Sequence, residues 1–448
     1  MTIRVVGGGI SGLAAALECL DRGAPVEVLE ASERVGGMLD TEQSDELLLE
    51  RGPDSLVRTK PEAIELCDRL HVDLIGTRPT KRPRALIVRD GRLLPIPTGF
   101  QLLAPTRLGP FLGSSLLSWP GKVRMSREWF LPCRDGAGEE DDESLASFVR
   151  RRFGQEALDR IAQPLIAGIY SGDPEQLSLR ATMPRLLDLE REHGSVIRGM
   201  RSTSTEAAAG ARYGLFQTPG SGMQTLVTAL AEAIELEGGR ISTGTQVESL
   251  SDLPASQAVI LATPLPVTAR LVEEQDADLA ALLRGIPTTS TATINFVCPA
   301  GVLDSIPEGY GFVVPAVEKR FVMACSFSSR KYEDRSDEDQ EILRAFVGGA
   351  LGPDIESLSD EEIVQQAQED LEGLLGQELG PTTVVLSRYH GAQPQYHLGH
   401  LDRVGAIEER VSRLPGLELA GNYLRGVGIS DCIRVARRAA DNCLSSPH

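Results

Sequence analysis

Apolar residues open the chain as a short extended run, Ile3-Arg4-Val5-Val6, and then recur at helical spacing, with Leu13, Ala16, Leu17 and Leu20 on one face. A glycine-rich segment, Gly7 to Gly12, separates the two patterns, and Gly23-Ala24-Pro25 stops the helix before a second apolar run, Val26 to Leu29. Strand, glycine turn, helix and strand in this order predict the opening unit of a doubly wound α/β domain.

The pattern then changes. From Gly76 to Pro97, short alternating runs flank Asp90-Gly91 and predict a β-hairpin. Residues 100–210 are mostly helical in period, with an apolar stretch at Pro110 to Trp119 and an acidic interruption at Glu139 to Glu143 that reads as a solvated loop. Met223 to Leu236 has the period of an amphipathic helix, and Gly244 to Leu250 and Ala258 to Thr263 read as strands. Further strands are expected at Ala292–Val297, Gly311–Val314, Phe321–Ser326 and Val384–Ser387, with a helix over Asp360–Leu375. A last strand, Leu417–Ala420, leads through a glycine-rich turn to a terminal helix. The expected fold class is α/β: a Rossmann-like domain (1–75, 215–270 and 395–448), a second sheet-bearing domain (76–99 and 271–394) and a helical insert (100–214).

Composition narrows the function. The 448 residues are 41% hydrophobic and 24% charged, enough to bury a sizeable core in more than one unit. A net charge of -19 argues against a general nucleic-acid binder, which needs clustered cations. Only five cationic side chains are lysines, so local positive charge comes from guanidinium groups suited to carboxylates. The seven cysteines form no CxxC pair and read as buried thiols of a reducing compartment. No signal peptide is expected ahead of the first strand, and no stretch reaches the roughly 18 apolar residues of a spanning helix. A cytoplasmic location follows as the expectation. No His and carboxylate cluster has metal-ligand spacing, so no metal is expected; His390, His397 and His400 read as packing or capping residues.

Gly7-Gly8-Gly9-Ile10-Ser11-Gly12 fits GxGxxG between strand and helix, where free N–H groups and the helix dipole favour a pyrophosphate. Glu30, eighteen residues after Gly12, ends the second strand, where a carboxylate accepts the hydroxyls of an adenosine ribose and disfavours a 2'-phosphate. Arg34 and a second glycine pair, Gly36-Gly37, follow. Gly52-Pro53-Asp54-Ser55 is a further turn beneath a long cofactor, and Val427-Gly428-Ile429 precedes a helix expected to start near Ser430 or Asp431 and to face the reduced flavin's negative charge. Four such segments point to FAD, held non-covalently.

Together with Glu50–Ser55, Pro164–Pro174, Pro394–His400 and Gly426–Ile433, these residues resemble the FAD-dependent protoporphyrinogen and coproporphyrinogen oxidases, closest to the soluble bacterial type, within the amine-oxidase-like flavoproteins. The resemblance spans nearly the whole chain. It implies oxygen-dependent, six-electron oxidation of a porphyrinogen, with hydrogen peroxide as by-product and no catalytic side chain. FAD contacts would fall on Gly7, Gly8, Gly9, Ile10, Ser11, Gly12, Leu13, Glu30, Arg34, Gly36, Gly37, Gly52, Pro53, Asp54, Ser55, Val247, Tyr389, Val427, Gly428 and Ile429. Substrate contacts implied in the same way are Gly168, Phe346, Val313 and Ser326, the last where plant-type relatives carry an aliphatic residue. The plant-type propionate arginine falls on Ala85, leaving Arg82 or Arg84 as substitutes. Ferrochelatase is the implied protein partner, and the Pro110–Trp119 run would either cover a substrate channel or touch the inner face of the cytoplasmic membrane. Two alternatives stay open: another enzyme of the superfamily, an amine oxidase or carotenoid desaturase, or a non-catalytic protein that binds FAD and porphyrin.

Overall fold

A computed structural model describes residues 2–44, 47–79, 85–101, 103–133, 142–203, 215–254 and 258–445. Its first sheet has five parallel strands in the order Arg240–Ser242, Val26–Leu29, Ile3–Val6, Ala258–Leu261, Leu417–Leu419. Three separate stretches of chain therefore build one sheet. Most of its strand positions are apolar because helices cover both faces, while Arg4 and Glu27 pair across adjacent strands at 3.4 Å. On one of those faces, the helix Ile10–Asp21 lies against Gln224–Leu236 and Ile429–Ser445, and its buried Ala14, Ala15 and Ala16 permit the close approach. The expected strand over Gly244–Leu250 does not form. Gly244 has φ +61°, which ends the Arg240–Ser242 edge strand and turns the chain toward Glu30, whose carbonyl accepts the Thr245 N–H at 2.8 Å.

The second sheet has seven strands, ordered Thr383–Pro394, Thr288–Pro299, Gln340–Gly348, Val322–Phe327, Gly311–Val313, Leu86–Arg89, Arg92–Pro95. The expected hairpin is there: Arg89 pairs with Arg92, and Asp90 and Gly91 both have positive φ, as a two-residue turn matched to strand twist requires. The helix Asp360–Leu375, opened by a Ser359/Glu362 capping box, covers one face through Ile363, Ala367 and Leu371. Alternation sends Ala292, Ile294, Phe312, Cys325, Leu343 and Ala345 into that core. The opposite, open face is bonded through Thr293 and Asn295 to the chain at Arg51 and Glu50.

Helices between Leu108 and Thr203 pack around an apolar cluster that also takes in Ile87, Ile96, Phe100 and Tyr396. Two acids of the run read as a solvated loop are bound into it. Glu143 pairs with Arg151 at 2.8 Å, while Asp142 accepts from Ser178 Oγ at 2.7 Å and from the Gly399 N–H at 2.8 Å. The arginine-rich helix Leu145–Arg152 begins two residues after this run, and its Arg151 draws Glu143 inward; Glu139 to Asp141 lie outside the described residues.

Candidate functional site

Three glycine turns meet above the first sheet. A Cβ at Gly7, whose φ is +105°, would lie 2.5 Å from the Ala262 carbonyl oxygen, and one at Gly12 would lie 1.8 Å from the oxygen of Gly7. Only glycine allows this crossing of strand, turn and helix. Beside Gly9, by contrast, a Cβ would meet nothing within 4 Å, and the helix Ile10–Asp21 starts there without a side-chain cap. No side chain caps its first N–H groups, an arrangement suited to receiving a phosphate.

Glu30 is bolted to this turn. One carboxylate oxygen accepts the Gly8 N–H at 2.6 Å and the other accepts from Ser32 N and Oγ at 2.8 and 2.7 Å. Arg34 donates to the carbonyls of Val35, Gly37 and Leu39 and so shapes the second turn, while the Gly36 N–H donates to the Gly8 carbonyl at 2.8 Å. Gly52 brings in the third turn: a Cβ there would sit 1.7 Å from the Met38 oxygen. Ser11 and Leu13 are buried in the first helix, and Val247 packs near Leu261 and Leu265. The terminal helix starts at Ile429, and the buried Asp431 occupies its first turn. That carboxylate accepts the Gly428 N–H at 3.3 Å and is paired with Lys60 and Arg434, so this helix end already holds a negative group.

The third turn is tied to the open face of the second sheet. Thr293 Oγ1 donates to the Arg51 carbonyl at 2.7 Å, and Asn295 donates to that of Glu50 at 3.1 Å. Arg344, 2% exposed, donates to the carbonyls of Gly52 and Arg51 and lies 4.9 Å from the Phe346 ring centroid. Lys331 Nζ is 2.8 Å from Asp54 and donates to Ser55 Oγ at 2.9 Å; Ser55 in turn lies 2.7 Å from the Tyr332 hydroxyl. Burial alone would push the Asp54 carboxyl up, but Lys331 and Arg344, with hydrogen bonds from Lys331 and Ser55, hold it well below the usual carboxylate range. Tyr389, from the edge strand, shares this face and its hydroxyl reaches the Gly52 turn; burial raises its pKa.

Register places Val313, Ala324, Phe346 and Thr293 in one row across the open face. Ser326 falls in the next row, beside Arg344 and Gly311, so the neighbour of Phe346 is Ala324. The helix Gln163–Tyr170 packs over this end of the sheet and carries Gly168, where a Cβ would meet nothing within 4 Å. A cavity of about 510 Å³ adjoins it, lined by Gln163, Ala167, Val314, Met323 and Gly348 among others. These include the immediate neighbours of Gly168 and Val313, although neither of those two nor Phe346 lines the cavity itself. Arg82 and Arg84 lie outside the described residues. Lys331 and Arg344 were not expected from the sequence. Strand alternation puts Arg344 on the face of Phe346, but nothing local ties either cation to Asp54.

Residues 10–444 match the family described as flavin-containing amine oxidoreductase. Coproporphyrinogen III oxidase of Bacillus subtilis (strain 168) is 33% identical, the match covering 98% of this chain and 97% of that protein. Protoporphyrinogen oxidase 2, chloroplastic/mitochondrial, of Arabidopsis thaliana is 27% identical over 99% and 94% of the two chains. A crystal structure from Exiguobacterium sp. 255-15, provisionally assigned as a protoporphyrinogen oxidase, superposes with a TM-score of 0.87 at 31% identity and 99% coverage of both chains. Putrescine oxidase bound to putrescine, at 17% identity and a TM-score of 0.70, shares the fold.

Proposed function

The chain belongs to the family of flavin-containing amine oxidoreductases, and from that premise we propose that it is an FAD-dependent oxidase converting coproporphyrinogen III to coproporphyrin III in haem biosynthesis. The observation that carries the substrate class is the full-length likeness to the coproporphyrinogen III oxidase of Bacillus subtilis. The glycine turns fit the cofactor, since Cβ atoms at Gly7, Gly12 and Gly52 would strike backbone while the side of Gly9 is free. On this reading FAD is held by Gly7 to Leu13, Glu30, Arg34, Gly36, Gly37, Gly52 to Ser55, Val247, Tyr389 and Val427 to Ile429. It supplies a hydride acceptor at N5, taking two electrons at a time.

The protein's part is placement. Gly168 and the row of Val313 and Phe346 would offer surfaces to either side of a macrocycle, Ser326 bounds the neighbouring row, and Arg344 of that row lies against the Phe346 ring. Arg82 and Arg84 remain candidates for a propionate. The choice of coproporphyrinogen III over protoporphyrinogen IX rests on its four propionates and the arginine-rich cation set.

Under anaerobic conditions coproporphyrinogen III is expected to bleach the yellow protein. In air, with oxygen as acceptor, about three hydrogen peroxide molecules should appear per porphyrin, because six electrons leave two at a time. No bleaching by either porphyrinogen would end this reading, and at least about tenfold higher kcat/KM for protoporphyrinogen IX would reverse the preference.

Ferrochelatase, which consumes a porphyrin, is the proposed protein partner. The proposed location is the cytoplasm, at the inner membrane face. Among the described residues no helix is long and apolar enough to cross a membrane. Leu108, Leu112, Trp119, Val123 and Phe130 nevertheless stand exposed on one short stretch beside Arg124 and Arg127, a combination suited to the interface of an anionic bilayer. Flotation with phosphatidylglycerol vesicles should carry the protein upward, and Trp119→Ser with Phe130→Ser should abolish this. Equal flotation of both forms would refute the surface.

A further inference from the structure

The segment Pro394–His400 stands out in the sequence, yet none of its residues lies among the proposed cofactor or substrate contacts. It leaves the edge strand Thr383–Pro394 and is bonded in two directions at once. Toward the helix that carries Gly168, the amide of Gln395, 1% exposed, donates to the carbonyl of Tyr170 at 2.9 Å and to Thr289 Oγ1 at 3.1 Å. Tyr170 is the last residue of that helix, and its ring lies 6.1 Å from the ring of Tyr396.

Toward the glycine-rich loop before the terminal helix, the Tyr396 hydroxyl donates to the Asn422 carbonyl at 2.5 Å and accepts the Gly426 N–H at 2.8 Å. One phenol oxygen thus closes the loop Asn422–Gly426 at both ends. His400 completes the clasp. It stacks on Tyr396 with ring centroids 3.8 Å apart, and its Nε2 lies 2.9 Å from the Leu424 carbonyl. Burial lowers its pKa to about 4, so the ring is neutral and Nε2 carries the proton it donates.

We propose that Tyr396 is a positioning residue that sets the glycine turn Gly426–Ile429 at a fixed distance from the helix bearing Gly168, acting through Gly426 on one side and Tyr170 on the other. The proposal rests on the reading of that turn as a cofactor contact and of that helix as a substrate contact. Tyr396 is itself fully buried and needs to touch neither ligand. Two of the passages that carry the resemblance, Pro164–Pro174 and Pro394–His400, therefore meet in one joint: Gln395 and Tyr396 meet the end of the Tyr170 helix, and beyond it the Ser178 N–H donates to the Tyr396 carbonyl at 2.8 Å.

Tyr396→Phe tests it, because the ring and its contacts remain while one oxygen goes and leaves the Gly426 N–H and the Asn422 carbonyl without this partner. FAD release from the diluted holoenzyme, followed by the rise in flavin fluorescence, should accelerate on the order of tenfold or more. The visible flavin spectrum should shift, and KM for the porphyrinogen should rise as kcat falls. Leu371→Ala, in the helix behind the far face of the second sheet, supplies a variant destabilised without touching the joint; it should release flavin at the wild-type rate.

Wild-type flavin release, spectrum and kinetics in Tyr396→Phe would overturn the proposal. So would equally fast release from Leu371→Ala, which would reduce the effect to general destabilisation. A wild-type protein that oxidised no porphyrinogen would sink the substrate reading alone, and the flavin-release comparison would still decide this one.

Discussion

Replacing Gly168 with leucine is expected to lower kcat/KM for the porphyrinogen on the order of 100-fold or more, with flavin spectrum and melting temperature near wild type. The fold itself has room for the change: a Cβ at Gly168 meets no protein atom within 4 Å, and φ there is not positive. Leucine also favours a helix over glycine by up to about 1 kcal/mol. The added side chain would project from an exposed position of the Gln163–Tyr170 helix into space that no protein atom fills within 4 Å. A large kinetic loss in a well-folded, yellow protein would therefore report collision with substrate. Retention of full turnover would place the substrate elsewhere.

Gly12→Ala is expected to give a protein purified nearly colourless. Its Cβ would fall 1.8 Å from the Gly7 oxygen and 3.0 Å from the Gly7 carbonyl carbon, backbone atoms that cannot swing aside. Relieving that overlap displaces the start of the Ile10–Asp21 helix against the glycine turn, at about 1–3 kcal/mol or more; if that cost falls on cofactor binding, FAD affinity drops roughly five- to 150-fold. Gly9→Ala separates ligand from scaffold. Its Cβ meets nothing within 4 Å, so the melting temperature of flavin-free protein should stay put while FAD content still falls. Flavin-to-protein absorbance ratios of purified variants check both, and wild-type ratios in the pair would mean that the fingerprint does not hold the cofactor.

Much of this architecture is legible in the sequence alone. The period of Leu13, Ala16 and Leu17, the Asp90-Gly91 turn and the helix Asp360–Leu375 are local features, and each forms where its pattern put it. The glycines of the first turns are legible for the same reason, since a positive φ or a backbone crossing is a demand made at one position. Where local pattern failed, a partner distant in sequence had intervened. Gly244 to Leu250 alternates like a strand, yet Gly244 turns it out of the ladder toward Glu30. Asp142 and Glu143 look solvated in a run of acids, yet Arg151, Ser178 and Gly399 hold them.

By itself, then, the sequence determined the doubly wound opening unit, the Asp90-Gly91 hairpin, the helix Asp360–Leu375 and the glycine fingerprint with Glu30. Periodicity and backbone constraint act over a few residues and can be read there. Only the tertiary structure decided that Lys331 and Arg344 would neutralise Asp54 from 277 and 290 residues away, that Ala324 and not Ser326 would sit beside Phe346, and that Tyr396 would join the loop at Gly426 to the helix of Gly168. Alternation fixes the side of a sheet on which a residue points, but which loop arrives to meet it depends on how whole layers pack, and no local period carries that information.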